Sequence, residues 1–355
     1  MMRQSKEKTK IQSQSRFPKL RGIFFGKGRG IQGTVAALLM MILVQCIVIG
    51  INEGSFTAIF PKFVQSWLNI LRNNTYTGVI TLGMCFVIVS GGIDLSVGSL
   101  TCAAGAVLMY LLDPAVGLLA KLGITGVPAY CIAICAAIAV GMLLGELNGL
   151  LVSFGRIPPF IATLGTMLIF RSVTQQLTKQ FNPVVPDGFK QIASLKLGGQ
   201  VFLPILYWVL VVIVMGILFR KTVFGKQVVA VGSNERAARF SGINVSAVKR
   251  RVYAISGIMC GIAAVLYVSR IGAMDFSNAG SGYEMDSIAA VVVGGTAMSG
   301  GKGSIAGAFL GTLIISVINS VLNMLGVPTF LCDAVRGAII IFAVLVQRRD
   351  AAEGR

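Results

Sequence analysis

The sequence predicts an all-α, polytopic membrane protein of about ten transmembrane helices with both termini cytoplasmic. Three observations lead there. Of 355 residues, 55% are hydrophobic and 12% charged, whereas a soluble domain is about a quarter charged. The mean hydropathy is +0.82, and apolar runs long enough to span a bilayer recur along the chain. The net charge of +18 is gathered in blocks that flank those runs. In a soluble protein such blocks would suggest nucleic acid. Beside hydrophobic spans the positive-inside rule explains them more simply, and no nucleic-acid partner is expected.

Residues 1–32 form a basic tail, with nine Lys and Arg in the first thirty positions against Glu7 alone. The apolar run behind it is long enough to span, so the tail is expected to stay as a cytoplasmic segment rather than leave as a signal peptide. Residues 33–347 make one membrane domain, and 348–355 a short cytoplasmic tail. Spans are expected near 33–51, 74–91, 95–112, 128–154, 160–178, 202–219, 252–269, 285–299, 303–323 and 328–346. With this count Arg156, the basic segment 220–251, Lys302, Arg348 and Arg349 all fall inside. The stretch 53–72, with Glu53, Pro61, Trp67 and Arg72, is expected to lie at the interface with Trp67 as anchor.

The most informative stretch is Ser90-Gly91-Gly92-Ile93-Asp94-Leu95-Ser96-Val97-Gly98-Ser99. It puts one carboxyl and a glycine-rich turn between two apolar runs. Irregular backbone at membrane depth must be buried in protein or face a polar cavity, and an ionisable residue there is a functional candidate. The second helix is expected to begin at Asp94 as N-cap. Further along, Glu146 and Asn148 would line an inner gate or reach the interface. Asn319 and Asn323, one turn apart, suit helix–helix hydrogen bonds or substrate contacts. Asp333 and Arg336, three apart, suit an ion pair. Asp275, Glu284 and Asp286 form an acidic outer rim, either solvated or facing a partner.

Segment 220–251 carries the other local signal. Ser233 or Asn234 can cap a short helix, Glu235 favours its first turn, Ala237 and Ala238 propagate it, and Gly242 can end it in a left-handed turn. Two roles fit: a knob for a groove on another protein, or a linker held near anionic lipid by its arginines. Several chemistries are excluded. There is no histidine, so a histidine relay or ligand is ruled out. The seven cysteines lie mostly in apolar runs without metal-ligand spacing and read as small apolar residues. Gly300-Gly301-Lys302-Gly303-Ser304 lacks the Lys-Ser/Thr step and the preceding strand of a phosphate loop. The chain is therefore expected to be no enzyme and to hold no cofactor or metal.

Four blocks, in order, carry a resemblance: Gly91 to Ser99; Asn148-Gly149 with Ile157-Pro158-Pro159-Phe160 through Thr166; Gly232 to Val245; and Gly282-Tyr283-Glu284-Met285-Asp286 through Gly294-Gly295-Thr296 to Gly300–Gly307. From about Asn69 to Val346 the chain resembles the membrane permease subunit of ribose-type sugar ABC importers. Two departures are Ser172 after Arg171, where that family usually has glycine, and a longer basic amino terminus. The resemblance implies a bacterial inner-membrane subunit that works by alternating access. It implies a second permease copy or paralogue, an ATPase subunit that binds ATP and Mg, and an extracytoplasmic sugar-binding protein. It assigns Glu235, Ala237, Ala238 and Gly242 to a coupling helix that docks on the ATPase. Gly91, Gly92, Asp94, Ser96, Asn148 and Asn319 are the candidates for gate and path. Branched-chain amino-acid or nucleoside permeases, and a secondary transporter with a broken helix, are the alternatives.

Overall fold

The computed structural model describes residues 30–53, 56–178, 183–194, 196–197, 200–328, 331–341 and 345. The chain is a helical bundle. In order come α1 (Gly30–Glu53), α2 (Phe56–Asn73), α3 (Thr75–Val89), α4 (Val97–Leu112), the single turn α5 (Leu118–Lys121), α6 (Gly126–Ser153), α7 (Pro159–Thr178) and α8 (Asp187–Ser194). Two short strands, β1 (Lys196–Leu197) and β2 (Gln200–Val201), pair antiparallel. Then follow α9 (Leu203–Lys221), α10 (Val223–Ser233), α11 (Glu235–Phe240), α12 (Val245–Ile271), α13 (Tyr283–Val293) and α14 (Ile305–Met324), with residues 331–341 helical as α15.

Among the described residues, five helices are long and apolar enough to cross a membrane: α1, α6, α9, α12 and α14. The apolar helices α3 and α4 are shorter. Burial separates centre from periphery. The apolar window of α12 is 78% buried, against 22% for α6 and α9, whose exposed Leu143 and Leu206 suit hydrocarbon.

In lipid the helices gain little from hiding apolar surface from one another, so close van der Waals packing must hold them together. The glycines supply it. Gly141, Gly145 and Gly149 recur every fourth residue on α6 and meet Gly257, Gly261 and the backbone near Arg250 on α12; a Cβ at any of the three would strike that backbone. Trp208 of α9, wholly buried, fills the notch left by Gly78 on α3 and meets Phe309 of α14 with ring centroids 4.9 Å apart. Gly294 and Gly307 seat α13 on α14 in the same way.

Several expectations change. The helix after the break starts at Val97, so Asp94 is not its N-cap. The span expected over 285–299 stops at Val293, where Gly294 and Gly295 turn the chain. Segment 220–251 is mostly helical, made of the end of α9, then α10, α11 and the first turns of α12. Trp67 is half-buried against the core, with its indole N–H enclosed. Helix α2 is tied into the bundle, because Gln45 of α1 donates to Ser66 at 2.8 Å. The basic tail up to residue 29 and the carboxyl-terminal tail lie outside the described residues.

Candidate functional site

The break begins with a turn that only glycine makes cheaply. The Gly92 N–H donates to the Val87 carbonyl and the Gly91 N–H to that of Ile88, both at 2.9 Å, with Gly91 at φ +84°. This pair of bonds is the Schellman ending of a helix. Gly92 follows because a Cβ there would lie 2.7 Å from the Tyr253 hydroxyl. The chain then runs back along α3. Asp94 reaches Ser256, and Ser256 packs against Gly83, about six residues or ~9 Å short of the end of that helix.

Asp94 is completely buried, and both its oxygens have partners. Oδ1 accepts the Ser96 N–H at 3.0 Å and the Ser96 hydroxyl at 2.6 Å, and Oδ2 accepts the Ser256 hydroxyl at 2.9 Å. Asn148 Nδ2 donates to Ser96 Oγ at 2.7 Å. The Ile93 carbonyl accepts Tyr253 at 3.2 Å and Thr163 at 3.3 Å. The irregular segment is thereby tied to α6, α7 and α12, as buried polar backbone must be. Of the six gate and path candidates, Gly91, Gly92, Asp94, Ser96 and Asn148 come together here. Asn319 does not.

Below this knot the backbones of three turns touch. The Gly301 N–H donates to the Val89 carbonyl at 2.9 Å, and a Cβ on Gly232 would collide with that same carbonyl. A Cβ on Gly300 would lie 3.1 Å from Gly91 Cα. The end of α3, the end of α10 and the turn before α14 therefore form one glycine junction. Helix α11 starts only three residues after Gly232.

Asn234 caps α11 through its side chain, which accepts the Ala237 N–H at 3.0 Å. Gly242, at φ +82°, ends it in the left-handed turn expected. Glu235 does not point outward alone: it pairs with Lys249 of α12 at 2.7 Å and with Arg239 at 3.3 Å. The hydrogen bond from Lys249 holds the Glu235 carboxyl below its ordinary range. Ala238 is buried and Ala237 exposed, so the helix presents one face outward. At its end Phe240 is 93% exposed. Beside it lies a cleft of about 560 Å³, bounded by Arg156 and Pro158 from the α6–α7 turn and by Glu235, Arg239 and Lys249.

The remaining polar residues sort differently from expectation. Glu146 pairs with Arg250 at 2.8 Å. Asp333 and Arg336 do pair, at 3.0 Å, but Arg336 also approaches Asp286 at 3.3 Å and donates to Asn319 Oδ1 at 3.2 Å. Asp286 is thus an inner partner, not part of an outer rim, and Glu284 lies against Gly98 in the first turn of α4. Only Asp275 of that trio is exposed, where it closes its own turn by accepting from Ser277 N–H and Asn278 Nδ2. Asn319 and Asn323 line a cavity of about 680 Å³ between α1, α2, α3 and α14. Sequence reasoning missed Tyr253 and Ser256, which carry no local signal, and held Thr163 only as part of the Phe160–Thr166 block without giving it a role. It also passed over Phe240, which a search for large apolar residues in charged segments would have found.

The family described as "Branched-chain amino acid transport system / permease component" matches residues 66–344. A ribose import permease protein of Bacillus subtilis is 39% identical over 82% of this chain and 88% of its own length. The ribose import permease protein of Escherichia coli K12 is 35% identical, covering 90% of this chain and 94% of its own. A D-allose transport system permease protein of the same organism is 34% identical over 85% and 90% respectively. No solved structure matches the chain. With a buried polar break, a capped outward-facing helix and a family match over most of its length, the chain belongs to the branched-chain amino acid transport system / permease component family.

Proposed function

We propose that this protein is the transmembrane permease subunit of an ABC-type importer that moves a small ribose-type monosaccharide across the bacterial inner membrane. Ten segments cross or enter the membrane, and both termini are cytoplasmic. A separate subunit binds ATP and Mg; this chain has no nucleotide site of its own. An extracytoplasmic sugar-binding protein delivers the substrate, and a second permease, identical or paralogous, completes the path. Helix α11, with Glu235, Ala237, Ala238 and Gly242 setting its ends and faces and Phe240 exposed, docks on the ATPase. ATP binding moves α11. The glycine junction passes that movement to the break, and the path formed around Gly91, Gly92, Asp94, Ser96, Asn148 and Asn319 changes sides. Such a switch needs contacts that differ between its two states.

The observation that carries this proposal is the backbone contact of Gly232 with Val89 and Gly301, which joins the α10–α11 turn to the Asp94 break. The sugar assignment is supported by relatives named for ribose and D-allose. The family description itself favours a second possibility, a branched-chain amino acid as cargo. Uptake of labelled D-ribose, D-xylose, D-galactose and L-leucine by cells with and without the gene separates the two. Loss of one sugar with leucine unchanged is expected; loss of leucine alone would establish the second.

A further inference from the structure

At the end of the bundle remote from α11, the cavity of about 680 Å³ is walled by two polar stripes. Ser316, Asn319, Ser320 and Asn323 follow one another at helical spacing on α14, a helix otherwise apolar enough to span. Facing them, α2 presents Gln65, Ser66, Asn69 and Asn73. From Ile305, beside the glycine junction, to Asn323 is ~27 Å at 1.5 Å per residue.

We propose that this cavity is a monosaccharide subsite on the transport path, where the amides of α14 and α2 bind sugar hydroxyls. The assignment rests on the sugar-import function proposed above. A hydroxyl both donates and accepts, and so does a carboxamide, so a wall of Asn and Gln matches a polyol; Lys62 is the one charged residue among those that line the cavity. The volume falls within the usual range for small-molecule sites, ~300–1,000 Å³. Polar residues in spanning helices are costly and are kept for packing or for function.

Packing accounts for part of the stripes only. Ser66 lies 3.5 Å from Ser320 and takes the Gln45 amide at 2.8 Å, which is ordinary adhesion between helices. The Asn323 side chain has no hydrogen-bond partner among the described residues, and the Asn319 side chain uses only its Oδ1, on Arg336. Arg336 thereby fixes which end of the Asn319 amide is taken and leaves Nδ2 to offer. Tyr76 adds a phenol ring to the wall, and Asn69 Oδ1 accepts Arg72 at 2.7 Å, leaving its amide Nδ2 available.

The test uses the complete transporter, with ATPase subunit and binding protein, in proteoliposomes. The Asn319→Leu/Asn323→Leu variant is expected to lose at least tenfold in D-ribose taken up per ATP hydrolysed. In a second measurement Asn323→Cys is labelled with a membrane-impermeant maleimide, above the wild-type background. Millimolar D-ribose is expected to slow labelling severalfold, and L-leucine to leave it unchanged. Wild-type D-ribose coupling in the double variant, or labelling indifferent to D-ribose, overturns the subsite. Should the double variant fail to assemble, the labelling result decides alone. A wild-type transporter that moves L-leucine and no sugar overturns the import assignment itself.

Discussion

The Asp94 break and the α2–α14 cavity are built from the same kinds of side chain and use them in opposite ways. At the break, Asp94, Ser96 and Ser256 spend their side-chain hydrogen bonds within the knot and Asn148 gives its Nδ2 to Ser96, with no exposure at Asp94 or Asn148; only Asn148 Oδ1 is enclosed there without a partner among the described residues. In the cavity, the Asn323 side chain is unpartnered among the described residues and the Asn319 amide is half spent. Saturated polar groups in a low-dielectric interior lock geometry, because each lost partner leaves a costly unsatisfied group. Unsaturated groups around open volume are available to a ligand. The contrast separates a part that holds position from a part that binds, although both hold amides and hydroxyls inside apolar helices.

The largest effect should come from breaking the locked region. Asp94→Ala leaves the Ser96 N–H and two buried hydroxyls without acceptors, a loss of about 3 kcal/mol at ~1 kcal/mol for each. Thermal unfolding in detergent checks this, with Asn323→Leu as the paired variant that should change stability far less. Equal destabilisation by the two would erase the contrast. Asp94→Ala should also reduce transport more than membrane abundance; equal losses would confine Asp94 to a structural role.

Next comes the junction below the break. Gly232→Ala places a methyl on the Val89 carbonyl, and overpacking of this kind costs about 1–3 kcal/mol. ATP hydrolysis that continues while sugar uptake falls is the expected signature, measured on the reconstituted complex. Unchanged coupling would detach α11 from the break.

A smaller effect is expected where the molecule meets its partner. Phe240→Ala should weaken capture of the ATPase subunit by roughly tenfold, about 1–2 kcal/mol, in a titration of the detergent-purified subunits. Unfolding should not shift, because the ring is 93% exposed. The smallest effect concerns pH. The Glu235 carboxyl is depressed by its bond from Lys249, so the stabilising pair is complete above the ordinary carboxylate pKa of about 4.3. It is lost only as pH falls through the lowered folded value. Docking measured against pH should therefore persist into mild acid in the wild type. In Lys249→Met the acid loss should begin at higher pH, and identical profiles would show that Lys249 does not set the Glu235 carboxyl.

The helical membrane class, the break at Ser90–Ser99 and the short α11 were all legible from local chemistry. Composition and apolar length declare spans within a window of about twenty residues. Caps such as Asn234 and Gly242 act across three to five residues, a range that a sequence displays directly. The same locality misled at Asp94, which was expected to cap the next helix. A carboxyl can hold a turn in two ways, and the choice here was made by Ser256, 162 residues away. Asp286 was set on an outer rim for a similar reason: its partner Arg336 belongs to another helix.

By itself the sequence determined what kind of protein this is and where the chain must turn, since those follow from neighbouring residues in a solvent of known polarity. Only the tertiary structure decided which polar groups are satisfied and which face open volume. Satisfaction depends on donors and acceptors brought together from distant helices, and no local periodicity records that pairing.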